Sequence, residues 1–152
     1  MRFEHRFHVK AGQEAVAAFH QSAGSLRSIT PLPMKVHHAP ARLGEGAEIV
    51  FTVWMGPLPV RWHGRVENAS AEGFDDIQLA GPFRSWRHRH NFQRLDANTT
   101  EVYDAVQAEL RPHPVWGLVG LMMWLGLPAL FAYRGWRTRR LVEGKGRRWA
   151  EA

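Results

Sequence analysis

The sequence predicts an α+β domain: a curved antiparallel sheet of about seven strands wrapped round a long C-terminal helix, with two short helices after the first strand. Three observations carry the prediction. Apolar and polar side chains alternate along several runs, which is the period of a half-buried strand. The runs are joined by tight connections such as Gly56-Pro57-Leu58-Pro59 and Asp96-Ala97-Asn98, which return the chain antiparallel to itself. The last third then opens with the uncharged apolar stretch PVWGLVGLMMWLGLPALFAY, residues 114–133, long enough to cover the apolar side of such a sheet.

Arg2 to Lys10 sets Phe3, His5, Phe7 and Val9 against Arg2, Glu4, Arg6, His8 and Lys10, a strand with one face in the core. Ala11-Gly12-Gln13 turns, and Glu14 to His20 has helical composition. Gly24 and Ser25 interrupt it; Leu26 to Ile29 forms a second short helix that Pro31 and Pro33 stop. Met34 to Ala39 is a short strand with Met34, Val36 and His38 on one face. Ala47 to Met55 places Ile49, Phe51, Val53 and Met55 together. Val60 to Asn68 turns Val60, Trp62, Gly64 and Val66 inward, with Gly64 at a bulge or bend. Phe74 to Ala80 is a weaker strand. Phe83 to Arg94 and Thr99 to Leu110 follow, the latter with Thr100, Val102, Asp104 and Val106 on one face.

The stretch Gly81 to Arg94, GPFRSWRHRHNFQR, is the most informative. Trp86, His88, His90 and Phe92 fall on one side of an extended chain, and Ser85, Arg87, Arg89, Asn91 and Gln93 on the other. An aromatic and imidazole face toward a pocket, with a cationic face in water, fits this division. Together with the strand running to Asp104 and the FAYR segment (Phe131 to Arg134), the stretch GPFRSWRHRH resembles the small ligand-binding members of the SRPBCC superfamily, the START-like, Bet v 1-like and polyketide cyclase/dehydrase proteins. The resemblance implies the helix-grip fold over residues 1–148, a cavity between sheet and C-terminal helix, and a hydrophobic small molecule within it. It transfers no catalytic residue.

Composition narrows the alternatives. At 152 residues, with 45% hydrophobic and 22% charged side chains, the chain is one globular domain able to bury a core. It has no cysteine, which excludes disulfides, thiol nucleophiles and thiolate metal sites. The N-terminus MRFEHRFHVK lacks an apolar leader core, so a cytoplasmic location is expected. The net charge of +6 equals the surplus in residues 134–148, seven basic side chains against Glu143. Cations gathered in one basic tail, about residues 143–152 with its approaches, suit a solvated end or weak contact with an anionic membrane surface. A nucleic-acid binder would spread them over a docking face, so no nucleic acid is expected.

The apolar segment has the length of a membrane span, and anchoring by residues 114–133 is an alternative to cavity closure. Gly126 and Pro128 divide it into a helix of about Val115 to Leu125 and another of about Pro128 to Val142. Leu118, Leu121, Met122 and Leu125 recur at helical spacing and are expected to face the sheet. The expected cavity wall is Phe51, Val53, Trp62, Trp86, His88, His90, Phe92, Asp104, Leu118, Met122 and Leu125. His5 and His38 share the inner face with the H-x-H pair on this reading. No acid at a set spacing accompanies the pair, so neither metal nor cofactor is expected. Asp104 beside His88 or His90 can orient an imidazole for proton transfer, which leaves a cyclase or dehydratase activity open beside simple binding.

Overall fold

The computed structural model describes the backbone of residues 1–150 and the side chains to Gly144. Its elements run β1 (Arg2–Val9), α1 (Gln13–His20), α2 (Ala23–Ser28), β2 (Met34–His38), β3 (Glu48–Met55), β4 (Leu58–Ser70), β5 (Gly73–Ala80), β6 (Phe83–Asp96), β7 (Thr99–Leu110), α3 (Pro114–Leu125) and α4 (Leu127–Ala150). The seven strands form one sheet in the order β1-β7-β6-β5-β4-β3-β2. Every pairing is antiparallel. The chain begins at one edge, and α1 and α2 carry it across to the other. From β2 it returns strand by strand until β7 lies beside β1.

Alternation sets the faces as expected. Val9, Val60, Val66, Val102 and Val106 are fully buried, while the arginines between them point out. The ladder shifts register between His63 and Gly64, the bend anticipated at that glycine. His38 departs from the pattern. A register shift between Val36 and His38 turns it off the inner face, and it is exposed rather than gathered with His88 and His90.

Gly73 opens β5 with φ +149°, a backbone state that side chains resist, and a Cβ there would run into the carbonyl oxygen of His90. Gly73→Ala is expected to cost about 2–3 kcal/mol in urea unfolding, since strain at positive φ and the clash act together. A loss under about 0.5 kcal/mol would show that the hairpin relaxes freely.

One cluster of the core sits between the sheet and α1: Phe7, Val9, Val16, Ala17, Phe74, Phe92 and Val102, with Val142 of α4. Phe131 and Leu127 of α4 pack on Val106, and Val119 of α3 packs with Val53 and Val60. A fully buried side chain of the Phe131 kind contributes about 1.5–3 kcal/mol.

The apolar C-terminal segment divides at Gly126, with 47° between α3 and α4. Among the described residues no single helix is long and apolar enough to cross a membrane. Helix α3 starts where His113 Nδ1 accepts from the backbone N–H groups of Val115 and Trp116, both at 3.2 Å, with Pro114 in the first turn. The expected face of α3 is corrected. Leu118 and Leu125 are 57% and 70% exposed, while Val119 and Gly120 face the sheet. A Cβ on Gly120 would lie 3.0 Å from Leu110, so the missing side chain sets how closely the helix approaches.

Helix α4 runs to Ala150, and the basic end expected at about residues 143–152 falls largely within its last turns. Arg137 Nε donates to the Ser28 carbonyl at 3.1 Å and Arg139 Nε to the His8 carbonyl at 2.9 Å, tying the helix to α2 and β1. The side chains of Lys145, Arg147 and Arg148 lie outside the described residues.

Candidate functional site

A cavity of about 500 Å³ lies between the concave face of the sheet, α2, α3 and α4. Its apolar wall includes Leu26 of α2 and Ile29 just beyond it, Phe51, Val53 and Met55 of β3, and Leu130 of α4. Trp62 and Trp86 stand edge to face on it, ring centroids 5.3 Å apart. One region of the wall is polar: His20, Asp76, His88, His90 and Arg134.

This polar region follows from register. His88 and His90 alternate inward on β6; their partners across the ladders are Asp76 and Phe74 on β5, and Val106 and Asp104 on β7. His88 Nε2 donates to Asp104 Oδ1 at 2.8 Å, and His90 Nε2 to Asp76 Oδ2 at 3.0 Å. His90 Nδ1 also lies 3.0 Å from Asp104 Oδ1, but off the line of a good hydrogen bond, so that contact is chiefly charge on charge. The two imidazole centroids lie 3.8 Å apart with the rings tilted by 38°, Phe74 stacks on His90 at 4.4 Å, and Phe131 closes on His88 edge-on at 5.2 Å.

Burial and charge divide the two imidazoles. Burial alone would push His90 down; the Asp104 carboxylate 3.0 Å from its Nδ1 and the hydrogen bond to Asp76 outweigh burial and hold it up at about 9. Burial dominates at His88, with the His90 charge against it as well, and takes it down to about 4 in spite of Asp104. Burial likewise takes His20, whose Nδ1 donates to the Val16 carbonyl, down to about 4. Burial would raise the Asp104 carboxyl, but the hydrogen bond from His88 and the close positive charge of His90 take it well below the usual carboxylate range. Asp76 is lowered by the same competition, with His90 as its partner. At neutral pH the network thus holds one imidazolium between two carboxylates, beside a neutral imidazole. With Nε2–H committed to Asp104, His88 keeps its lone pair on Nδ1.

Ligand atoms of Asp76, His88 and His90 lie within 4.8 Å of one another, a donor set a metal ion can use. The proton on His90 Nε2 already occupies the space between His90 and Asp76, and a metal would have to displace it.

Of the residues expected on the wall, Phe51, Val53, Trp62, Trp86, His88, His90 and Met122 line the cavity. Asp104 is buried beneath the imidazoles and acts through them. Phe92 is in the core under α1, because two residues beyond His90 the inner face meets that helix; its ring is 4.9 Å from that of His20. Leu118 and Leu125 point to solvent. Sequence reasoning missed Asp76, His20 and Arg134. Asp76 was within reach, because it alternates with Phe74 toward the inner face of β5.

No family model matches the chain, and no curated protein matches it in sequence. Solved structures do match in shape. A norcoclaurine synthase point mutant from Thalictrum flavum, in complex with a transition-state analogue, superposes with TM-score 0.73 at 12% identity, over 96% of each chain. The Zhui aromatase/cyclase from Streptomyces sp. R1128 gives 0.68 at 17% identity, over 93% of this chain and 95% of that one. A START superfamily protein from Mycobacterium smegmatis gives 0.66 at 14%, over 94% and 97%. Identities this low establish architecture alone: the chain has the helix-grip fold on which the SRPBCC superfamily is built.

Proposed function

We propose that the protein binds a hydrophobic small molecule, a lipid or a polyketide-like aromatic, in the cavity between the sheet and α4. The observation that carries this is a cavity of about 500 Å³ whose wall is predominantly apolar, with His20, Asp76, His88, His90 and Arg134 as its imidazole and charged groups. That size and lining suit a small organic ligand, with burial supplying affinity and few polar groups setting its orientation. The likeness to ligand-binding and cyclase proteins supports the reading at the level of fold.

The test uses neutral 2-naphthol and the fluorescence of Trp62 and Trp86. Saturable quenching is expected, and Leu130→Trp, which fills the cavity from α4, is expected to weaken it at least about tenfold with the circular dichroism unchanged. Absence of saturation, or binding indifferent to Leu130→Trp, would overturn the proposal.

A second reading rests on the opposed protonation of His88 and His90. A neutral imidazole in contact with an imidazolium, ring centroids 3.8 Å apart, is a base beside an acid, the arrangement that proton-transfer enzymes use. On that reading the protein is a cyclase or dehydratase acting in the same cavity. His88→Ala separates the two: an enzyme loses turnover by about 10²–10⁴-fold, whereas a binder only shifts its affinity.

A further inference from the structure

We infer that Arg134 is an anion-recognising group in the cavity wall, and that the ligand is an amphiphile with an ionised carboxylate at one end. The inference rests on the cavity reading above and adds the chemistry of the ligand's head.

Arg134 stands in the cavity wall one turn of α4 beyond Phe131, its guanidinium carbon 5.4 Å from the Phe131 ring centre. Its Nε is buried and has no hydrogen-bond partner among the described residues. Among those residues no carboxylate comes within the 4.0 Å of an ion pair with it. The nearby acids are committed elsewhere: Asp76 accepts from His90, and Asp104 from His88. Both attract the guanidinium at longer range without giving it an acceptor. A buried, unsatisfied donor on a charged group is costly, on the order of 1–3 kcal/mol or more, and is retained where something completes it.

The side chain is only partly exposed and belongs to the cavity lining. A planar guanidinium presents paired N–H groups whose spacing matches the two oxygens of a carboxylate. The remainder of the wall, from Phe51 and Val53 to Trp62 and Trp86, accepts an apolar body. A ligand with a carboxylate at the Arg134 end and a hydrocarbon or aromatic body along the tryptophans pairs the unpartnered guanidinium and fills the apolar remainder of the wall.

Calorimetric titration with 2-naphthoate and its neutral isostere 2-naphthamide tests this on the full chain. The wild type is expected to prefer naphthoate by about 10–100-fold, the worth of one or two hydrogen bonds to a charged group. Arg134→Met is expected to abolish the preference while moving naphthamide affinity less than about threefold; Arg134→Gln serves if the Met variant does not fold. Equal affinities in the wild type, or a preference that survives both substitutions, would overturn the inference. If 2-naphthol binds while the acid and the amide do not differ, the cavity reading stands and the carboxylate falls. If nothing binds, both fall.

Discussion

Asp104→Asn is expected to lower the free energy of unfolding by about 3–5 kcal/mol at pH 7, the range for breaking a buried charge pair from one side. Asparagine keeps the shape and can still accept from His88 Nε2, but it cannot offset the imidazolium of His90 at 3.0 Å. The remaining network then either buries an under-compensated cation or releases the His90 proton. Urea unfolding of the single variant and of Asp104→Asn with His90→Gln provides the check. The double variant should recover much of the loss, because the charge that Asp104 balanced is gone. A single-variant loss below about 1 kcal/mol would mean that the carboxylate is not the counter-ion of this network.

Stability is expected to peak near pH 6.5 and to fall on both sides. His90 is raised from 6.5 to about 9, so its contribution is complete below pH 6.5 and is lost as pH climbs through about 9. His20 and His88 are lowered from 6.5 to about 4, so theirs is present above pH 6.5 and is lost on descent toward about 4. Between those two values the unfolded chain binds two more protons than the folded one, and between 6.5 and 9 one fewer. The acid limb should therefore be steeper, up to about 2.7 kcal/mol per pH unit against about 1.4 on the alkaline side. Deeper acid adds protonation of Asp104 and Asp76, both held below their ordinary range. Thermal denaturation across pH 4 to 9.5 measures this, and His20→Phe should flatten the acid limb alone. A profile level from pH 5 to 8 would mean that these imidazoles do not carry the protonation assigned to them.

Much of this was legible because a strand has only two faces. Once Trp86, His88 and His90 alternate against Arg87 and Arg89, one face must go in, and the aromatic one is cheaper to bury. The same logic put Asp104 on the inner side of β7, and pairing of β6 with β7 then brought carboxylate and imidazoles together. Helix α3 resisted because it is apolar all round. A stripe such as Leu118, Leu121 and Leu125 has no polar complement to define the opposite side, and the close approach at Gly120 decided the orientation instead. Arg134 was hidden by its chain neighbours, which are the cations of the C-terminal end. The period that exposes its position is the buried stripe Phe131, Gly135, Thr138 and Val142 on α4, beside which Arg134 falls one turn from Phe131.

The outward side of α3 bears on how a guest molecule reaches the interior. Val115, Leu118, Met122 and Leu125 are each more than half exposed, and Met122 also belongs to the cavity wall, as does Leu32 on the facing loop. The threshold is thus as oily as the room behind it. On the proposed function, a hydrocarbon arriving there would shed its water shell in instalments along the methionine and leucine side chains, so that capture would begin at the rim and no single step would carry the whole desolvation.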